Sequence, residues 1–188
     1  MEPRFETALI THCAPTLAGV KPANLFRLRS ESLEQLRRDA ARWDETLGRY
    51  GIRVRVLKEC PSLDAGMLYV YRESWVARLL AEEESRAFLE GGGYVSSNVS
   101  DMLDQLSERM CMEAEYPHEI GIFLGYPLED VVGFIENRGW NYTCCGYWKA
   151  YGDPAAAQKC FDRYRKCTAV YKERYARGVP LIELVVAA

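Results

Sequence analysis

The residues best suited to chemistry begin with Thr11-His12-Cys13, which opens the stretch "THCAPTLAGVKPANLF" at residues 11–26. The chain carries only two histidines, His12 and His118. Imidazole, thiolate and carboxylate together suit zinc or ferrous iron, so His12, Cys13, His118 and Cys145 form one candidate metal-ligating set. A second reading is nucleophilic. Cys13 would attack as thiolate, His118 would serve as its base and Glu119 would orient the imidazole. Adjacent residues on a helix point about 100° apart, so His12 and Cys13 cannot both aim at one ion without distorting the turn. The plain alternative is that Cys13 packs as a small apolar group while His12 sits near the carbonyl end of its helix, where a cation is favoured. The expected arrangement has Cys13 inward, with His12 and the loop to Asn24, including Lys21, accessible to a ligand.

A second concentration of chemistry lies further on. Tyr142, Tyr147, Trp148 and Tyr151 crowd into ten residues, with Tyr126 and Trp140 nearby. Flat rings of this kind either fill a core or line a pocket for a flavin, a haem or another planar molecule. Gly125-Tyr126-Pro127 reads as a turn between a strand and a helix. The free N–H groups that follow it could hold an anion, although Glu129 and Asp130 would oppose one. Gly125, Tyr126, Tyr147 and Trp148 therefore join His12, Lys21 and Asn24 as candidate ligand-binding residues. An extended chain of seven residues from His118 to Gly125 would span roughly 23 Å at about 3.3 Å each, which assigns the histidine and the turn to different sites.

The elements that must position these groups follow from periodicity. Apolar residues at helical spacing predict a helix over 3–13 that Pro15 stops, placing His12 and Cys13 in its last turn. A short strand follows over Ala23 to Arg29. Ser32 with Gln35 caps a helix whose apolar stripe Leu33, Leu36, Trp43, Leu47, Tyr50 ends at Gly51. Ile52 to Val56 and Met67 to Arg72 alternate as strands and pair as a hairpin across the turn-rich 60–66. Residues 73–90 and 99–114 read as helices, separated by a Gly91–Asn98 loop expected to be mobile. The apolar run 120–124 predicts a buried strand, 128–138 a helix with Pro127 at its start and Gly139 just past its end, and 145–151 a strand. Asp153-Pro154 opens a long helix closed by Gly178, with Cys160 and Cys167 on one face. The expectation is one α+β domain over residues 1–188, with about five short strands in a mixed sheet flanked by helices.

Composition narrows the classes. Twenty-seven acidic residues face 24 basic ones, and the basic ones are dispersed, which disfavours a phosphate-neutralising nucleic-acid partner. No run of about 20 apolar residues is present, so no membrane span is expected, nor does the N-terminus resemble a secretion signal. Seven cysteines with no CxxC or CxxxC pair fit reduced thiols in the cytoplasm better than a disulfide scaffold or a structural zinc site. Cys60-Pro61 matches a haem-responsive dipeptide, but two residues in a turn carry almost no specificity.

Three blocks, "HCAPTLAGVKPANLF", "PHEIGIFLGYPLEDVVGFIENRG" and "CGYWKAYGD", resemble the signatures of a bacterial family, found mainly in anaerobes, of the domain-of-unknown-function class, numbered 3793. The likeness runs from about Phe5 to Tyr175 and aligns Cys145, not Cys144, with the family cysteine. It implies no reaction. It does imply a link to iron or redox metabolism, since members are encoded near ferrous-iron transport genes and flavodoxins. The functional expectation is a cytoplasmic small-ligand or metal-binding accessory protein, with iron, haem or flavin as candidate cofactors. The rivals are a cysteine-dependent transferase or hydrolase using Cys13 and His118, and an interaction module for a flavodoxin-like redox partner.

Overall fold

The computed structural model describes residues 3–95, 98–110 and 117–187. Residues 111–114 of the helix expected over 99–114, and residues 96–97 of the loop expected to be mobile, lie outside them. In chain order the elements are α1 (Pro3–Leu17), β1 (Ala23–Arg29), α2 (Leu33–Gly48), β2 (Ile52–Cys60), β3 (Ala65–Arg72), α3 (Glu73–Ala81), α4 (Glu83–Gly91), α5 (Val99–Arg109), α6 (Ile120–Phe123), α7 (Leu128–Glu136), β4 (Cys144–Cys145), β5 (Lys149–Ala150) and α8 (Pro154–Ala176).

The protein is an α+β domain. Its five described strands form two antiparallel sheets, ordered β1-β3-β2 and β4-β5, rather than one mixed sheet. The β2–β3 hairpin is present as expected, with a register shift between Val56 and Lys58. Every residue of the central strand β3 is buried, because helices cover both faces of the sheet. Leu68 and Val70 face a core built with α1, α2, α8 and the C-terminal segment, while Met67, Tyr69 and Tyr71 face a second core with α3, α5 and α6. This is the period-2 alternation of a strand realised as two separate apolar cores.

Helix α2 forms where the capping pattern placed it, and the Ser32 hydroxyl accepts from the Gln35 amide at 3.1 Å. Its buried face is Leu36, Ala40, Trp43 and Leu47. Ser32→Ala is expected to cost about 1 kcal/mol by leaving that amide without its side-chain partner, read as a shift of the urea midpoint at constant slope.

Four expectations fail for physical reasons. Helix α1 continues through Pro15 to Leu17. Pro15 forgoes only the bond to the Thr11 carbonyl, and the helix ends instead at Gly19 (φ 68°), with Val20 N–H donating to the Pro15 carbonyl at 2.8 Å and Gly19 N–H to the Thr16 carbonyl at 3.2 Å. The segment 73–90 is two helices, broken at Glu82, which leaves helical geometry (ψ 133°) to end α3 and begin α4. The apolar run 120–124 is a helical turn. Tyr126 N–H returns to the Gly121 carbonyl at 2.9 Å and Gly125 N–H to the Ile122 carbonyl at 3.0 Å, so Gly125 (φ 75°) is a helix-terminating glycine rather than a strand-to-helix turn. A Cβ there would also lie 2.5 Å from Pro22 Cγ. Finally, 145–151 is not one strand: β4 and β5 are two-residue strands reversed around Gly146–Trp148. Among the described residues no helix is long and apolar enough to cross a membrane.

Candidate functional site

The helical turn at 120–123 reverses one sequence inference outright. Instead of a 23 Å separation, α6 doubles the chain back so that His118, Gly121 and Tyr126 line the same cleft. Its opposite wall comes from Asp130, Val131 and Phe134 on α7 and from Cys145 to Lys149 on the β4–β5 hairpin, around a volume of about 350 Å³. The expected anion site at the start of α7 is not formed as imagined, because no strand precedes that helix and the Asp130 carboxylate is buried there.

Asp130 holds the cleft together. Its Oδ1 accepts from the amides of Tyr151 and Gly152 at 2.6 and 3.0 Å, and its Oδ2 accepts from Trp148 Nε1 at 2.7 Å. The fixed indole stacks on Tyr126 at 4.8 Å and meets Phe161 edge-on at 4.6 Å. The Tyr126 hydroxyl donates to the Tyr147 carbonyl at 3.3 Å, and burial pushes its phenol up to about 12. Gly146 is required by packing, since a Cβ would run into the Phe161 ring. His118 is exposed and its ring lies 4.9 Å from Phe134. Lys149 Nζ donates to the Gly139 carbonyl at 2.8 Å and sits 5.7 Å from the centre of Phe134. Phe134 and Lys149 are not singled out by the sequence, and Asp130 enters it only as a charge opposing an anion; the signal for its real role is a carboxylate opening a helix just after a helix-ending glycine, close to an indole with a donor to place.

The remaining candidates lie elsewhere. Cys13 is sealed in the α1–α2–α8 core, and burial drives its thiol well above the ordinary range. It lies in that core, whereas His118 lines the cleft. His12 is exposed on the middle of α1, not its last turn, stacked on Phe26 at 4.9 Å and 12°; burial first, and Lys172 second, lower its pKa. Glu119, expected to orient an imidazole, faces Tyr94 and Arg109 and accepts from them at 3.2 and 3.4 Å. Asn24 is buried and accepts from Thr16 at 2.7 Å. The loop from Pro15 to Asn24, expected to be accessible, is largely interior. Cys145 alone of the proposed metal ligands shares the cleft with His118, and among the described residues no three His, Cys, Asp or Glu side chains are grouped to hold a metal ion.

Fold and cleft together define an α+β domain with a small aromatic-walled pocket between a helix and a hairpin. Within that class, the chain belongs to the protein family of unknown function DUF3793, whose model matches residues 9–185. No curated protein and no solved structure matches it.

Proposed function

We propose that the chain is a cytoplasmic accessory protein that binds a small, flat, largely apolar molecule in the cleft between α7 and the β4–β5 hairpin. The observation that carries this reading is the wall of Tyr126, Phe134, Tyr147 and Trp148 around about 350 Å³. That volume stands at the lower end of ligand pockets, so it suits part of a planar ring system, with the remainder of a larger molecule outside the cleft. A link to iron or redox metabolism rests on the family resemblance, and planar redox cofactors are of the right shape. For a flavin, the aromatic faces would stack on the ring and Lys149 would donate to its edge. For a haem, His118 or Cys145 would supply a ligand to its iron. A bare metal is less favoured, since the described residues offer no group of three ligands. The cysteine-enzyme alternative gains no support, because the Cys13 thiol is sealed and held protonated.

The full chain is to be titrated with FMN and separately with haemin, following flavin emission and the haem Soret band. Saturable binding of either, weakened at least tenfold by Trp148→Ala, is the expected result. Absence of binding by both, together with no retained small molecule in native mass spectrometry of anaerobically prepared protein, would overturn the reading. Trp140, 73% exposed, and the exposed Tyr142 favour a second role, contact with a redox partner such as a flavodoxin. Trp140→Ala should then weaken that contact while leaving FMN or haemin binding unchanged.

A further inference from the structure

Behind Tyr126 lies a group the cleft does not use. Lys21 is 2% exposed, and among the described residues its ammonium has no hydrogen bond and no ion-pair partner. Its Nζ stands 5.2 Å from the centre of the Tyr126 ring and 6.0 Å from that of Tyr164. The titratable groups that face it are Cys13 of α1, Cys160 and Tyr164 of α8, and Tyr126. No carboxylate stands among them. A buried ammonium without acceptors is costly, and lysine answers that cost more readily than arginine by giving up its proton. The nitrogen is nonetheless not completely sealed from solvent. Among the described residues, the side-chain nitrogen or oxygen that is both sealed from solvent and partnerless is the Tyr151 hydroxyl, not Lys21 Nζ.

We propose that Lys21 is a reactive amine that condenses reversibly with the carbonyl group of an aldehyde or ketone of apolar body, giving an imine beside the rings of Tyr126 and Tyr164. The nitrogen lone pair attacks the carbonyl carbon, a C–N bond forms, and the carbonyl oxygen departs as water after two proton transfers. No electrons are exchanged, and hydrolysis reverses the step. The aromatic faces favour this chemistry over anion binding, since they repel an anion but stabilise a protonated imine as they do the ammonium. Burial pulls the Lys21 pKa down to about 8. About one amine in ten is then unprotonated at pH 7, against about one in several thousand for an ordinary lysine. The inference stands apart from the cleft's ligand and does not depend on it.

The test is reductive trapping of the full chain with acetaldehyde and, separately, benzaldehyde in the presence of cyanoborohydride, read lysine by lysine by peptide mass spectrometry across pH 6 to 11. Lys58, Lys149, Lys159, Lys166 and Lys172 serve as internal controls in the same molecule. With at least one of the two aldehydes, Lys21 is expected to react at least tenfold faster than any of them at pH 7, with a midpoint near 8. Lys21→Arg, which keeps charge and bulk but cannot condense, should abolish the fast adduct. Reaction of Lys21 no faster than the five controls with both aldehydes, or a midpoint that follows theirs, overturns the proposal. The comparison within the wild-type chain decides it even if the variant does not fold.

Discussion

Replacing Arg72 with methionine is expected to lower the stability of the folded chain by about 3–5 kcal/mol. Arg72 closes the fully buried strand β3 and is itself 1% exposed. Its guanidinium makes three bonds, all to backbone: Nε to the Thr16 carbonyl at 2.7 Å, and Nη2 to the carbonyls of Leu17 and Val186 at 3.0 and 2.6 Å. Thr16 and Leu17 are the last residues of α1, where the helix leaves its carbonyls without intrahelical partners and its dipole favours a cation. One side chain thus ties the central strand, the end of the first helix and the C-terminal segment together. Methionine fills the volume but removes three charge-assisted bonds, leaving the Thr16 and Leu17 carbonyls with only the Gly19 and Val186 amides and the C-terminal segment without its tie to β3. Arg72→Lys keeps the charge without the planar fork and should recover less than half of the loss. Denaturant unfolding measures this through a lower midpoint at constant slope. Because the partners are backbone carbonyls rather than exposed carboxylates, the deficit should change little between low and high salt. A loss below about 1 kcal/mol for the methionine variant would show that the segments hold together without it.

The reach of sequence reasoning in this chain follows the range of the forces involved. Helix α2 and the β2–β3 hairpin were legible because their signals are local: a capping hydroxyl, an apolar stripe, alternation in adjacent strands. The run Ile120-Gly121-Ile122-Phe123-Leu124 was misread because a short apolar stretch satisfies either a buried strand or a buried helical turn, and a glycine after it ends both. The tie is broken by tertiary contact: Gly121 leaves room for Val131 and Tyr126, which a Cβ would meet at 2.7 and 3.1 Å. From that one error the separation of His118 from Tyr126 followed, and the cleft could not be seen. Pro15 misled in the same way. Proline breaks a helix by default, but near its end it costs a single bond, and the buried Ala14, Thr16 and Leu17 keep the chain helical to Gly19. The inward Cys13 agrees with its expected placement, whereas the burial of Lys21 depends on Tyr126 and on Tyr164 of α8, residues distant in sequence, and has no local signature.

Asp130→Ala should have the next largest effect, about 2–4 kcal/mol, and it should be confined to one corner of the molecule. The β4–β5 sheet has two residues per strand, too few for its own ladder to hold it, so the amides of Tyr151 and Gly152 depend on the Asp130 carboxylate. Alanine frees both amides and the Trp148 indole at once. Hydrogen exchange should therefore rise at residues 144–152 while the amides of β3 stay protected, and the near-ultraviolet signal of the stacked Tyr126–Trp148 pair should fade. Asp130→Asn separates the two halves of this role. The amide oxygen can still accept from Tyr151 and Gly152, but its NH₂ group would face the indole N–H, donor against donor. Backbone protection in the hairpin should then survive while Trp148 loses its orientation and the cleft loses affinity for a planar ligand. An asparagine variant whose Trp148 signal matches the wild type would mean that packing on Phe161, rather than the carboxylate, sets the indole, and the cleft would owe its shape to α8.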